Sequence, residues 1–268
     1  MSLFNFSPEE LMTFFAVLVR YSTLFSVLPF IGDRAIPAPI KILLAFTVTL
    51  ALFPALVSSQ QISVQTATKW SATSSGIAFT IVLETLFGLI LGYTARLVFE
   101  GISLGANLVG NFMGFASASS YDPHQESQTQ IIAQLQTAIA MLVFLALDGH
   151  HLMLRASLDS YRVIGMGKMG FTAAFSQRLI HLSGEVFYFG IQVAAPVAIS
   201  LFSVNVVFGI LSKAMPQLNI FMLSFAITAL VGFFVMLINL TDFQGSASAI
   251  LNRIGDFMES IMRTLVER

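Results

Sequence analysis

Apolar runs of about twenty residues, each long enough as a helix to cross roughly 30 Å of hydrocarbon, recur about six times along the chain between polar breaks. The first, Leu11 to Ile31, is followed by GDRAIPAP, where Gly32, Pro37 and Pro39 supply turn residues before Ile40 to Val57 runs back. This pattern predicts a tight helical hairpin. Its start is marked by Ser7 as N-cap, Pro8 at N1 and Glu10 at N3, which together form a capping-box signature. The polar stretch SSQQISVQTATKWSATSS then reads as a loop or a short surface helix.

From Ile77 to about Ala118 the chain stays apolar and helix-compatible for longer than one bilayer crossing requires. Such a segment must break, tilt or leave the membrane. A polar loop opens at Asp122 and Pro123, and Ile131 to Leu147 forms the next apolar run. The region Asp148 to Arg178 is the most polar of the interior and reads as a loop. It carries enough basic residues to face the cytoplasm, although Arg34 and Lys41 sit in a loop that the same count also places inside. Leu179 to Leu211 and Ile220 to Leu240 predict a second hairpin. In its turn, MPQLNIF, Pro216 ends the helix that carries Lys213 and Asn219 caps the next. In the tail, Ile250, Ile254, Phe257, Ile261 and Leu265 recur at helical spacing among charges. That stripe fits a helix lying on a membrane surface or one docked on a partner.

Composition agrees with the pattern: 56% of residues are hydrophobic, 10% are charged, and the mean hydropathy is +0.83. This is a membrane protein's profile. A net charge of −1 leaves no electrostatic footprint for nucleic acid, and the lack of cysteine excludes disulfides and thiolate chemistry. The first ten residues hold two acids and no base, the wrong sign for a cleaved signal segment, so they are expected to be retained.

Two features sit badly with a simple membrane bundle. Arg20, Glu84, Arg96, Glu100 and Lys213 fall within apolar runs, where each charge costs a few kcal/mol without a partner. Arg96 and Glu100 are four apart and able to pair on one helix. Arg20 and Glu84 have no local partner, so they snorkel, pair between helices, or belong to helices outside lipid. The second feature is a series of glycine pairs, Gly88 and Gly92, Gly101 and Gly105, Gly110 and Gly114, which permits close helix packing or a bend. Between the last glycines and small residues stand Phe112, Met113 and Phe115, apolar side chains that could close a pore. Periodicity by itself favours ordinary packing there.

Chemistry finds no foothold. Asp148, His150, His151 and His124 lack a metal-site spacing, and no HExxH, GxSxG, Walker or dinucleotide motif is present. The chain is expected to be no enzyme, with no catalytic, cofactor or metal residues and no cofactor.

Four blocks, GDRAIPAPIKILLAFTVTLALFPAL, NFMGFASASSYDP, LDGHHLMLRASLDSY and APVAISLFSVNVVFGILSKAMPQLNIF, occur in an order and spacing that resemble the FliR family. These are membrane proteins of the flagellar type III secretion export gate, with injectisome relatives. The resemblance covers nearly the whole chain, and PQLN followed by an apolar residue and Phe is its most specific element. It implies an all-α fold with a FliP-like part, residues 1–180, fused to a FliQ-like hairpin, residues 181–268, that ends in the amphipathic helix. It also implies a structural and gating subunit in the bacterial inner membrane at the flagellar basal body. The partners it implies are FliP-like, FliQ-like and FlhB-like subunits, membrane lipid, and unfolded flagellar export substrates in transit, with no nucleic acid.

By position, the family's channel plug corresponds to about residues 106–122, including Gly110, Phe112, Met113, Gly114 and Phe115, which moves the reading there toward pore closure. Lys213, Pro216, Gln217, Asn219 and Phe221 are implied as partner contacts. Gly88, Gly92, Gly101 and Gly105 remain helix-packing positions. The chain departs from common family patterns at Ser224, Phe225 and Ala226, at Gly165, Met166 and Gly167, and at Val204 and Asn205. A stand-alone secondary transporter or small-solute channel is the alternative, but its expected inverted repeat has no convincing counterpart here.

Overall fold

The structure is a computed structural model that describes residues 7–33, 36–114, 127–168, 170–215, 217 and 220–265; at 66, 127–131, 220 and 221 it describes the backbone alone. All regular structure among the described residues is helical. Helix α1, Pro8–Val27, starts as its sequence dictates: the Glu10 amide donates to the Ser7 hydroxyl at 3.2 Å, and the Ser7 amide donates to the Glu10 carboxylate at 2.9 Å. Helix α2, Ala38–Ser58, folds back on it, with Phe14 packed edge-on against Phe46 and Phe53. Lys41 secures the connection by donating to the carbonyls of Gly32 at 2.8 Å and Asp33 at 2.9 Å. One of the two loop cations thus serves the hairpin itself. Pro54 does not end α2, which continues to Ser58.

After α2 come a 3₁₀ turn, Val64–Thr66, and a short helix α3, Ala67–Ser71, so the polar connector is in part a short helix anchored by buried Ile62 and Ala67. Helix α4, Ser74–Phe112, is unbroken over 39 residues, about 58 Å at the helical rise per residue. The glycines do not interrupt it. There follow α5, Ser127–Ala146; α6, Gly149–Val163; α7, Ala173–Ala214; α8, Ile220–Ile238; α9, Leu240–Asn252; and α10, Ile254–Thr264.

Two expectations need correction. The polar region after residue 148 is not all loop, because α6 occupies half of it. Its buried residues Met153, Ser157, Ser160 and Tyr161, with Ile164 just beyond its end, lie on one helical face, disguised in the sequence by the serines and by the charges opposite. The amphipathic tail is two helices rather than one. Ile250, Ile254, Phe257, Ile261 and Leu265 are all buried within this chain, so the stripe that looked available to a membrane surface or a partner is already covered.

The chain divides into two compact units. The first comprises Met1–Leu97, His151–Leu182 and Ile254–Arg268, and the second comprises Val98–His150 and Ser183–Arg253. In the first unit α10 is tied down by the Gly170 amide donating to the Leu265 carbonyl at 3.0 Å and the Thr172 hydroxyl donating to the Thr264 carbonyl at 2.6 Å. In the second, a core of Val109, Met113, Ile132, Ala194, Val197 and Leu201 is joined by Val231, Val235 and Met236 of α8.

Among the described residues four helices, α1, α2, α4 and α7, are long and apolar enough to cross a membrane, or up to six spans if two bent helix pairs each count as one. In the most apolar windows of α2 and α7 only 22% and 28% of residues are buried. Exposed Ile42, Leu43, Ile199, Phe202 and Leu230 show how much apolar surface remains uncovered. Surface of that extent calls for lipid or protein.

Candidate functional site

Gly88 and Gly92 lie one turn apart on α4 and face α1. A Cβ at Gly88 would overlap the Arg20 carbonyl and the Thr23 hydroxyl, and one at Gly92 would stand 2.9 Å from the Leu24 carbonyl. Without side chains there, the two backbones approach as closely as small-residue pairs allow. One turn before Gly88, Glu84 reaches Arg20 across the gap. Arg20 Nε donates to Glu84 Oε2 at 2.6 Å and Nη2 to Oε1 at 3.0 Å, a bidentate fork. Both residues are 1% exposed. The two charges without local partners in the sequence are therefore partners of each other.

Three further groups complete the cluster. Arg20 Nη1 donates to the Ser160 hydroxyl at 2.7 Å, and that hydroxyl donates to the Ser157 carbonyl. The guanidinium carbon lies 3.7 Å from the centre of the Tyr161 ring and 4.4 Å from that of Phe87, so the cation is sandwiched between aromatic faces. Glu84 Oε1 also accepts the Gly167 amide at 3.0 Å. Gly167 has φ of +67°, a left-handed conformation that costs glycine nothing. Gly167 in the loop after α6 thus closes this site.

Such an arrangement binds rather than reacts. The carboxylate is held by a guanidinium and an amide, and the cluster contains no exposed nucleophile. It joins α1, α4, α6 and the loop after α6 through one desolvated pair, and loss of either partner would leave a buried charge uncompensated at a cost of about 3–5 kcal/mol. Sequence reading named Arg20 and Glu84 but missed Ser160, Tyr161 and Gly167. The helical face of α6 was the signal that would have found the first two.

The second place is the end of α4. Gly101 and Gly105 receive α7 closely: a Cβ at Gly101 would lie 2.9 Å from Phe189 Cβ, and one at Gly105 2.7 Å from the Gly190 carbonyl. Gly110 is buried. Gly114 ends the helix with φ of +89°, and its amide donates to the Asn111 carbonyl. Met113 is 0% exposed in the core, against Gly232, and its carbonyl accepts the Thr228 hydroxyl at 3.2 Å. Phe112 is 39% exposed and lines a cleft of about 230 Å³ with Asn111, Gly114, Asn205, Phe225 and Thr228. Phe115, with the rest of the expected plug to Asp122, lies outside the described residues.

At the turn between α7 and α8, Lys213 and Gln217 are exposed. Pro216 and Asn219 lie outside the described residues, and Phe221 is described only as part of the α8 backbone.

Long apolar helices, uncovered apolar faces and a desolvated inter-helix ion pair define a helical membrane protein. Residues 11–254 match the family described as bacterial export proteins, family 1, and the chain belongs to that family, which contains the FliR proteins. It is similar to the flagellar biosynthetic protein FliR of Pectobacterium carotovorum subsp. carotovorum, 28% identical over 252 residues that cover 94% of this chain and 93% of that one. FliR of Escherichia coli strain K12 is 26% identical over 83% of this chain and 82% of its own. FliR of Bacillus subtilis strain 168 is 26% identical over 84% and 85% respectively.

Proposed function

We propose that this chain is a structural and gating subunit of the flagellar type III protein export channel, seated in the bacterial inner membrane at the flagellar basal body. The observation that carries the reading is the family match over residues 11–254, together with curated flagellar relatives matched over nearly their whole length. The uncovered apolar faces of α2, α7 and α8 supply surface for lipid and for FliP-like, FliQ-like and FlhB-like neighbours. In this reading residues 1–180 are the FliP-like part and 181–268 the FliQ-like hairpin, and unfolded flagellar proteins pass through the entrance the subunits form.

The gate belongs at the end of α4. Met113 anchors it in the core, Gly114 turns the chain, and Phe112 with the following residues seals the passage until substrate displaces them. Lys213 and Gln217, both exposed, contact neighbouring subunits in this reading, and Pro216, Asn219 and Phe221 are proposed for the same role.

Two measurements test the proposal. Deleting the gene should abolish swimming and filament assembly, and affinity-tagged chain extracted in mild detergent should carry FliP-like and FliQ-like subunits with it. A strain that still swims, or a chain that purifies alone from cells expressing all three, would overturn the reading.

A further inference from the structure

The second unit contains a small cavity of about 50 Å³ lined by Gln136 of α5, Gln192 and Pro196 of α7, and Asn239, Asp242 and Ser246 at the junction of α8 with α9. Polar residues from three separate stretches of chain converge there, although the surrounding helices are strongly apolar. Gln136 is 5% exposed, and its Oε1 is buried with no hydrogen-bond partner. A buried acceptor left in that state is costly unless something fills the cavity and satisfies it.

The lining offers oxygens from several side chains and no positively charged group. Asn239 donates one Nδ2 hydrogen to the Val235 carbonyl at 2.9 Å, and its Oδ1 stands as an acceptor at the lining. Pro196 sits inside α7 and has no N–H, so the Gln192 carbonyl one turn earlier lacks its helical donor. Asp242, itself exposed, adds a carboxylate at the mouth, Ser246 adds a hydroxyl, and among the described residues no lysine, arginine or histidine lines the cavity. Neutral oxygens with a single carboxylate suit a hard cation of low charge, whereas a divalent ion usually recruits further carboxylates. The volume exceeds what one water needs and is small for an organic ligand.

We propose that this cavity is a monovalent-cation site of sodium size, with the Gln136 amide oxygen and the Asp242 carboxylate as its principal donors. Binding would join α5 to the α8–α9 junction, linking segments that the sequence leaves far apart.

The test uses the full chain in mild detergent, with sodium, potassium or choline chloride at constant ionic strength and unfolding followed by intrinsic fluorescence. The expected result is a saturable rise of about 3 °C in the midpoint with sodium over choline, smaller with potassium, and absent in Asp242→Asn and Gln136→Leu. Equal midpoints in all three salts would mean the cavity holds water alone and would overturn the proposal. A sodium effect that survives in both variants would do the same, by placing the ion elsewhere. Should neither variant fold, Ser246→Val at the partly exposed rim decides: weaker sodium dependence supports the site, and unchanged dependence overturns it.

Discussion

Arg20 on α1 and Glu84 on α4, separated by 64 residues of sequence, meet in a bidentate ion pair at 2.6 and 3.0 Å, both side chains shut off from solvent. Because removing one member leaves the other charged and buried, Arg20→Met or Glu84→Gln should each destabilise the chain by about 3–5 kcal/mol. The double apolar variant Arg20→Met/Glu84→Leu should recover a large part of that loss. Unfolding in detergent, run as a double-mutant cycle, measures both. Additive single effects would show that the pair does not act as a unit.

Gly88 sets the distance across which that pair forms. Gly88→Val drives a branched side chain into the Arg20 carbonyl and the Thr23 hydroxyl, and should lower stability by about 1–3 kcal/mol or more. Gly184 on α7 is the control, since a Cβ there meets nothing within 4 Å. Gly184→Ala should be neutral or stabilise by up to about 1 kcal/mol through helix propensity. The same unfolding assay compares the two.

At the end of α4, the proposed gate divides two roles, an anchor at Met113 and a seal at Phe112. Met113→Ala empties a core position and should cost about 2–5 kcal/mol. Phe112→Ala, at a half-exposed position beside the cleft, should leave stability within about 1 kcal/mol yet make cells with assembled complexes leaky to small solutes. Dye or ion uptake reads the leak. Deletion of Gly110 to Ser117 should leak more strongly, and unchanged permeability in both strains would remove the gate from this segment.

Gly114 is held at φ +89° with Phe225 3.3 Å from the position of an added Cβ. Gly114→Val should therefore cost about 1–2 kcal/mol or more through the left-handed conformation alone, and motility on soft agar should fall with it. Normal swimming would show that this turn can be re-formed without glycine.

For the α7–α8 turn, a photo-crosslinking residue at Gln217 should yield adducts with FliP-like or FliQ-like subunits in assembled complexes. A residue at Lys213 should do the same. Recovery of uncrosslinked chain alone would count against the turn as a contact surface.

The legibility of the molecule followed the range of the forces involved. Local signals sufficed for the first helix, where Ser7, Pro8 and Glu10 marked the start through capping contacts three residues apart. They sufficed also for the apolar helices, whose length answers to bilayer thickness. They failed where a helix mixes serines and charges with its buried face, as α6 does, and where the amphipathic tail buries its stripe inside its own chain. Periodicity specifies which face is apolar, but it does not name what covers that face.

By itself, then, the sequence determined an all-helical membrane chain, its first hairpin, the close-packing glycines and the family resemblance, since each depends on spacing or on residue type within a few turns. Only the tertiary structure decided that Arg20 and Glu84 pair with each other, that Ser160, Tyr161 and Gly167 complete their site, and that Met113 is an anchor while Phe112 remains exposed. The physical reason is one of distance: these contacts join residues tens of positions apart, and the close approach that creates them arises only when α1 settles onto the bare backbone at Gly88 and α8 onto Met113.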